Sequence, residues 1–223
     1  FLRIKEEADQ AIQIAWLLGY ASHVVADATI HPVIEKNIGV YEDNKFEHRK
    51  CEMHQDVYIT NELRYNLNSS ELFDVIKETT GEDKNLHPAI IKLWNMTLSK
   101  VHPDLYKSLQ PDINKWHQWY CTGLDVGENT LLVKGRHVIA ESGLGVFYPT
   151  KEDLQEKFLF KLKQPLEGVI DFKDLFKKAV GNTREAWEVI GRGLWEGSNE
   201  YESYFKNWNL DTGKDEKKVF AYW

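Results

Sequence analysis

At 223 residues the chain has the length of a single domain and can bury a substantial core. Its 42% hydrophobic, 13% aromatic and 28% charged residues exclude the disordered and collagen-like classes. The net charge of −7 argues against nucleic acid as a partner and against a purely electrostatic hold on anionic membranes, since both rest on clustered Lys and Arg.

No run approaches the roughly 18–20 uninterrupted apolar residues of a membrane span. The most apolar segment, 11–34, is broken by Gln13, Ser22, His23, Asp27 and His31 and reads as a buried helix. Cys51 and Cys121 fit neither zinc nor redox C-x-x-C spacing, which leaves the compartment open. The chain starts at Phe1 with no initiator Met and no basic-then-apolar leader.

In chain order, Ile4, Ala8, Ala11, Ile12, Ala15, Trp16 and Gly19 recur at three- and four-residue steps, predicting a helix over 6–30. Pro32 disfavours the α conformation at His31 and should end it there. A polar loop is expected over 35–45 and a second helix over 46–66. Ser70 is a candidate N-cap for a helix over 71–79. His87-Pro88 opens a helix over 89–101, Pro103 and Pro111 punctuate the next stretch, and an aromatic-rich helix is expected over 112–121. The stretch 123–150 holds five of the 14 glycines and the β-leaning run Leu131-Leu132-Val133, so irregular chain with a short hairpin is expected there. Helices return over 152–162, 172–180 and 184–204. No repeat of solenoid length is present. The class is mostly α, read as one domain over 1–223.

Two clusters repeat a four-residue step. His23, Asp27 and His31 form H-x-x-x-D-x-x-x-H, and His48, Glu52 and Asp56 form H-x-x-x-E-x-x-x-D. A step of four advances about 40° past a full helical turn, so each trio falls within an arc of about 80° on one face. Either trio alone reads as surface ion pairs. However, His23 and Asp27 sit among Val24, Val25, Ala26 and Ala28, where charge is costly unless paired or metal-bound. Imidazole with carboxylate is a donor set for zinc, and three protein ligands with an open position is the catalytic form of a zinc site.

The segment Gly19-Tyr20-Ala21-Ser22-His23-Val24-Val25-Ala26-Asp27-Ala28-Thr29-Ile30-His31-Pro32, followed by His48-Arg49-Lys50-Cys51-Glu52-Met53-His54-Gln55-Asp56, resembles the zinc-dependent phospholipase C family. That family shares its fold and trinuclear zinc site with fungal single-strand-specific nucleases. The resemblance implies that His23 and Asp27 serve a pair of zincs, with Asp27 bridging them, and that His31, His48 and Glu52 hold a third. Asp56 would orient a ligand imidazole. It further implies hydrolysis of a small-molecule or lipid phosphodiester. A water on Asp27's side of the paired zincs would attack phosphorus, making Asp27 the catalytic residue, and the third zinc would stabilise the leaving oxygen.

The likeness covers residues 11 to 60, and it has departures. The step from Asp27 to His31 is four, where secreted bacterial members and nucleases usually have six, and the Gln-Pro preceding the His in many nucleases is absent. The family also draws ligands from upstream, yet residues 1–22 contain no His. Three arrangements remain open. In the favoured one, the sequence is the downstream part of a longer or cleaved chain whose N-terminal segment supplies the missing ligands, giving up to three zincs. Alternatively His87, His102, His117 or His137 is recruited, or the paired centre is lost and only one zinc remains. A non-catalytic, metal-stabilised binding domain is the reading from another class, and a single-strand nuclease the other hydrolytic one.

Other residues have blander readings. His54 lies about 240° round its helix from His48 and is not expected to be a ligand. Cys51 reads as a small buried hydrophobe. Trp116-His117-Gln118-Trp119-Tyr120 reads as core packing ahead of a wall for a headgroup or a peripheral lipid contact, and His137 as a solvated loop. For Trp208-Asn209-Leu210-Asp211-Thr212-Gly213 the sequence offers a turn-like end and no chemistry.

Overall fold

The computed structural model describes residues 7–63, 80, 84–129 and 149–223. The expected helix over 71–79, Leu131-Leu132-Val133 and His137 lie outside them. The chain is mostly α-helical: α1 (Glu7–Ile38), α2 (Tyr41–Glu62), α3 (Pro88–Val101), α4 (Pro103–Leu109), α5 (Ile113–Asn129), α6 (Phe172–Trp195) and α7 (Tyr201–Tyr204). A 3-10 turn (Glu156–Phe158) precedes a two-stranded antiparallel pair, β1 (Leu162–Lys163) and β2 (Val169–Ile170), in which Leu162 faces Ile170.

The residues fall into two compact units. One holds 1–17 and 67–141. Within it, His87 caps α3 by accepting from Ala89 N–H, and Pro88 sits at the first turn, where its missing N–H costs nothing. Gln13 donates to the Ala89 carbonyl at 2.9 Å, and Trp16 meets Trp94 edge-on at 5.0 Å. Trp116, Trp119 and Tyr120 are exposed, Trp119 by 73%. They do not form the core packing expected of them, because α5 turns Ile113 and Cys121 inward instead.

The second unit holds 18–66 and 142–223. Along α1, Ala21, Val25, Ala28, Thr29, Val33 and Ile34 are buried at helical spacing, and along α6 the buried stripe is Phe172, Leu175, Ala179, Ala186, Val189 and Ile190. Val33, Ile59, Leu162, Phe172 and Leu175 form one core cluster. Ile34, Cys51, Phe158 and Leu159 form another, between α1 and α2. Each such side chain contributes about 1.5–3 kcal/mol by leaving water.

Several boundaries differ from expectation. Helix α1 continues through Pro32 to Ile38. The ring deprives the Ala28 carbonyl of its i+4 donor, and Gly213 packs against that carbonyl so closely that a Cβ there would lie 2.5 Å from the oxygen. The burial of Val33 and Ile34 beyond the proline offsets the lost bond. The expected loop over 35–45 is mostly helical, interrupted at Gly39, whose φ is +113°, and at Asn44, whose non-helical φ of −131° kinks α2.

Helix α5 runs on to Asn129, because isolated glycines cost only about 1 kcal/mol each and do not by themselves end a helix. Residues 172–195 form one helix rather than two for the same reason, Gly181 being tolerated. Gly197, with φ of +70°, ends the chain's turn and lets Ser198 N–H reach the Arg192 carbonyl. The helix expected over 152–162 is replaced by the 3-10 turn and β1. The carbonyls it would have used are taken by tertiary donors, Phe158's by Gln55 at 3.0 Å and Leu159's by Phe172 N–H at 2.7 Å.

Candidate metal centre

Helix α1 carries His23, Asp27 and His31, and α2 carries His48 and Glu52. The His23 side chain is 63% exposed, with Nε2 3.4 Å from Asp27 Oδ2. Asp27 Oδ1 lies 3.7 Å from His31 Nε2. From the other side, Glu52 Oε1 lies 3.2 Å from His31 Nε2 and 3.3 Å from His48 Nε2. The His48 side chain is only 3% exposed. The His31 and His48 rings meet edge-on at 4.9 Å, and Tyr41 packs on His48 at the same distance.

Among the described residues, His31, His48 and Glu52 are the one group of three or more metal-ligating side chains close enough to share an ion, their donor atoms all within 4.8 Å of one another. The donors fit zinc. Bonds near 2.0–2.1 Å in a tetrahedron place neighbouring donors about 3.3 Å apart; the two nitrogen–oxygen separations are 3.2 and 3.3 Å, and all three donors lie within 4.8 Å of one another. Two imidazoles and one carboxylate also leave a fourth position open, the catalytic arrangement.

The charges agree with that geometry. Burial alone would raise the Glu52 carboxyl, but hydrogen bonds from His31 and His48 and their charge pull it down to about 2. Burial alone would lower His31, yet the bond to Glu52, the charges of Asp27 and Glu52, and the Leu210 carbonyl raise it. Asp27 is shifted up because its burial prevails over the lowering charges of His31 and His23, with smaller raising contributions from Glu52 and Asp211.

Residues 2–104 match the family model described as zinc-dependent phospholipase C. That match bears out the resemblance read from the two motifs and encloses all five proposed ligands. No curated protein and no solved structure matches the chain.

The remaining sequence candidates sort by position. Asp56 is exposed on α2. His54 is buried away from the cluster, its Nδ1 accepting from Gln155 N–H at 3.3 Å, and Cys51 is buried in the core between α1 and α2. His87, His102 and His117 belong to the other unit, where His117 Nε2 pairs with Thr80 Oγ1 at 2.9 Å.

Two groups near the cluster come from beyond the matched residues. The Leu210 carbonyl lies 2.9 Å from His31 Nδ1, and the charge of Asp211 reaches Asp27. A main-chain carbonyl has no sequence signature. The only sign was the turn chemistry of Asn209 to Gly213.

Proposed function

We propose that this chain is a zinc-dependent phosphodiester hydrolase of the phospholipase C type, acting on a lipid or small phosphodiester as one hydrolase domain. The observation that carries the reading is the convergence of His31, His48 and Glu52 on one point, with Asp27 beside them, inside a family-matched region. When bound, zinc supplies Lewis acidity, which makes a water acidic near neutrality and neutralises phosphoryl oxygens.

The protein's residues do the rest. His31, His48 and Glu52 hold the ion, and Glu52 stays ionised because two imidazoles face it. Asp27 and His23 form the ligating edge of an adjacent centre, with up to three ions if further donors complete it. Asp27, between His23 at 3.4 Å and His31 at 3.7 Å, would serve that adjacent centre as its carboxylate. The exposure of His23 specifically favours a second reading, a single-zinc domain that binds without catalysis.

The test is hydrolysis of a chromogenic choline phosphodiester and of phosphatidylcholine micelles. The first reading expects zinc-dependent turnover that a chelator abolishes, and loss of turnover in Asp27→Asn with the His31 zinc retained. One zinc per chain and no turnover on these substrates or on single-stranded DNA would establish the binding domain. Turnover on DNA alone would establish the nuclease.

A further inference from the structure

We propose that the turn over 209–213 is a positioning element of the metal centre: through the Leu210 carbonyl it fixes the His31 imidazole with Nδ1 protonated and Nε2 presented to the ion. The inference deepens the zinc reading above and rests on it.

A carbonyl oxygen can only accept, so the 2.9 Å contact between His31 Nδ1 and Leu210 O places the ring hydrogen on Nδ1. Nε2 faces Glu52 Oε1 at 3.2 Å, so it is the nitrogen that gives up its hydrogen to take an ion there, while Nδ1 keeps its own on the Leu210 carbonyl. A ligand histidine held this way loses little freedom when it binds metal and is a stronger donor. His48 differs, because its Nδ1 is buried without a hydrogen-bond partner among the described residues.

The turn is itself tightly built. Asn209 Oδ1 accepts from Thr212 N–H at 2.9 Å, the Asn209 carbonyl accepts from Gly213 N–H at 2.8 Å, and Asn209 N–H donates to the Lys214 carbonyl at 2.8 Å. Its anchor is Gly213, buried at a φ of +63° against Pro32 and the Ala28 carbonyl. The proline immediately after the ligand thus frees the α1 carbonyl against which the turn packs. Nearby, Trp223 Nε1 donates to the Thr29 carbonyl at 2.9 Å, holding the last residue on the same helix. Residues 209–213 lie outside the family-matched region, so this support is supplied by the part of the chain that the family model does not cover.

The experiment uses the full 223-residue chain. Zinc affinity is measured by competition with a chromophoric chelator, and the hydrogen on His31 Nδ1 by nitrogen-15 NMR of the metal-free and the zinc-loaded protein. Gly213→Ala, whose Cβ would strike the Ala28 carbonyl, should weaken zinc binding by about 10–100-fold. Asn209→Ala should weaken it less, and Asn209→Asp, which keeps the Oδ1 acceptor, should restore it. The parent His31 should keep a hydrogen on Nδ1 in both the metal-free and the zinc-loaded protein, and a bare Nδ1 in either would overturn the proposal even if both turn variants failed to fold. Undiminished affinity in folded Gly213→Ala and Asn209→Ala would overturn it while leaving the zinc reading intact. Failure of the parent to bind zinc would instead remove the zinc reading, and this inference with it.

Discussion

Glu52 Oε1 lies 3.2 Å from His31 Nε2 across 21 residues of sequence, so a carboxylate on α2 is held by an imidazole on α1. Both groups are partly withdrawn from water, which makes the pair costly to leave unmatched and selective for a cation between them.

Ligand removal should therefore be felt strongly. Glu52→Gln keeps the size of the side chain but loses its charge, and His48→Ala removes a nearly fully buried donor. Each should reduce zinc affinity by more than the roughly 10–100-fold typical of a supporting residue. Calorimetric titration checks this, and parent-like affinity in either variant would remove that residue from the ligand set.

Zinc uptake should be linked to proton release. His31 is raised above its ordinary 6.5, so it is mostly protonated at 6.5 and below and must lose that proton to bind. Affinity should fall as pH drops through 7 toward 6, while Glu52, held at about 2, contributes nothing to the slope there. Titrations in buffers of different ionisation enthalpy should show protons released per zinc rising over that interval.

The metal-free protein should show the opposite dependence at its two limits. The lowered Glu52 makes a stabilising contribution present above 4.5 that is lost as pH falls toward 2. The raised His31 makes one that is full below 6.5 and is lost as pH rises through its folded value. The pair therefore stabilises most between about 4.5 and 6.5, with Asp27, raised from 3.8, opposing Glu52 at the acid edge. Urea midpoints against pH should peak in that interval without zinc and shift upward with it.

Two glycines allow a controlled comparison. Gly197 and Gly213 both have positive φ, but a Cβ at 197 meets nothing within 4 Å, whereas one at 213 meets Ala28 and Pro32. Gly197→Ala should cost about 1–2 kcal/mol for the left-handed backbone alone. Gly213→Ala should cost more, and equal losses in thermal melts would show that the turn moves aside freely.

Leu175 is fully buried in the cluster with Val33, Ile59, Leu162 and Phe172. Leu175→Ala should lower unfolding free energy by about 2–5 kcal/mol, read as a lower urea midpoint at unchanged slope.

The helical class, α3 with its His87-Pro88 start, and the clustering of His23, Asp27 and His31 on one face were legible from the sequence because each depends on residues within a turn or two of one another. The ends of α1 and α6 were not. Pro32 and Gly181 are local stop signals that lose to burial on either side of them. The aromatic run at 116–120 misled because composition says nothing about which way a helix turns its face.

By itself the sequence determined two ligand-bearing helix faces, since an i, i+4 spacing fixes direction within one helix. That the faces meet was decided by tertiary packing, in which Ile34 of α1 and Cys51 of α2 share a core with Phe158 and Leu159. So was the Leu210 carbonyl on His31: an acceptor common to every residue acquires a role only when distant chain is folded onto it.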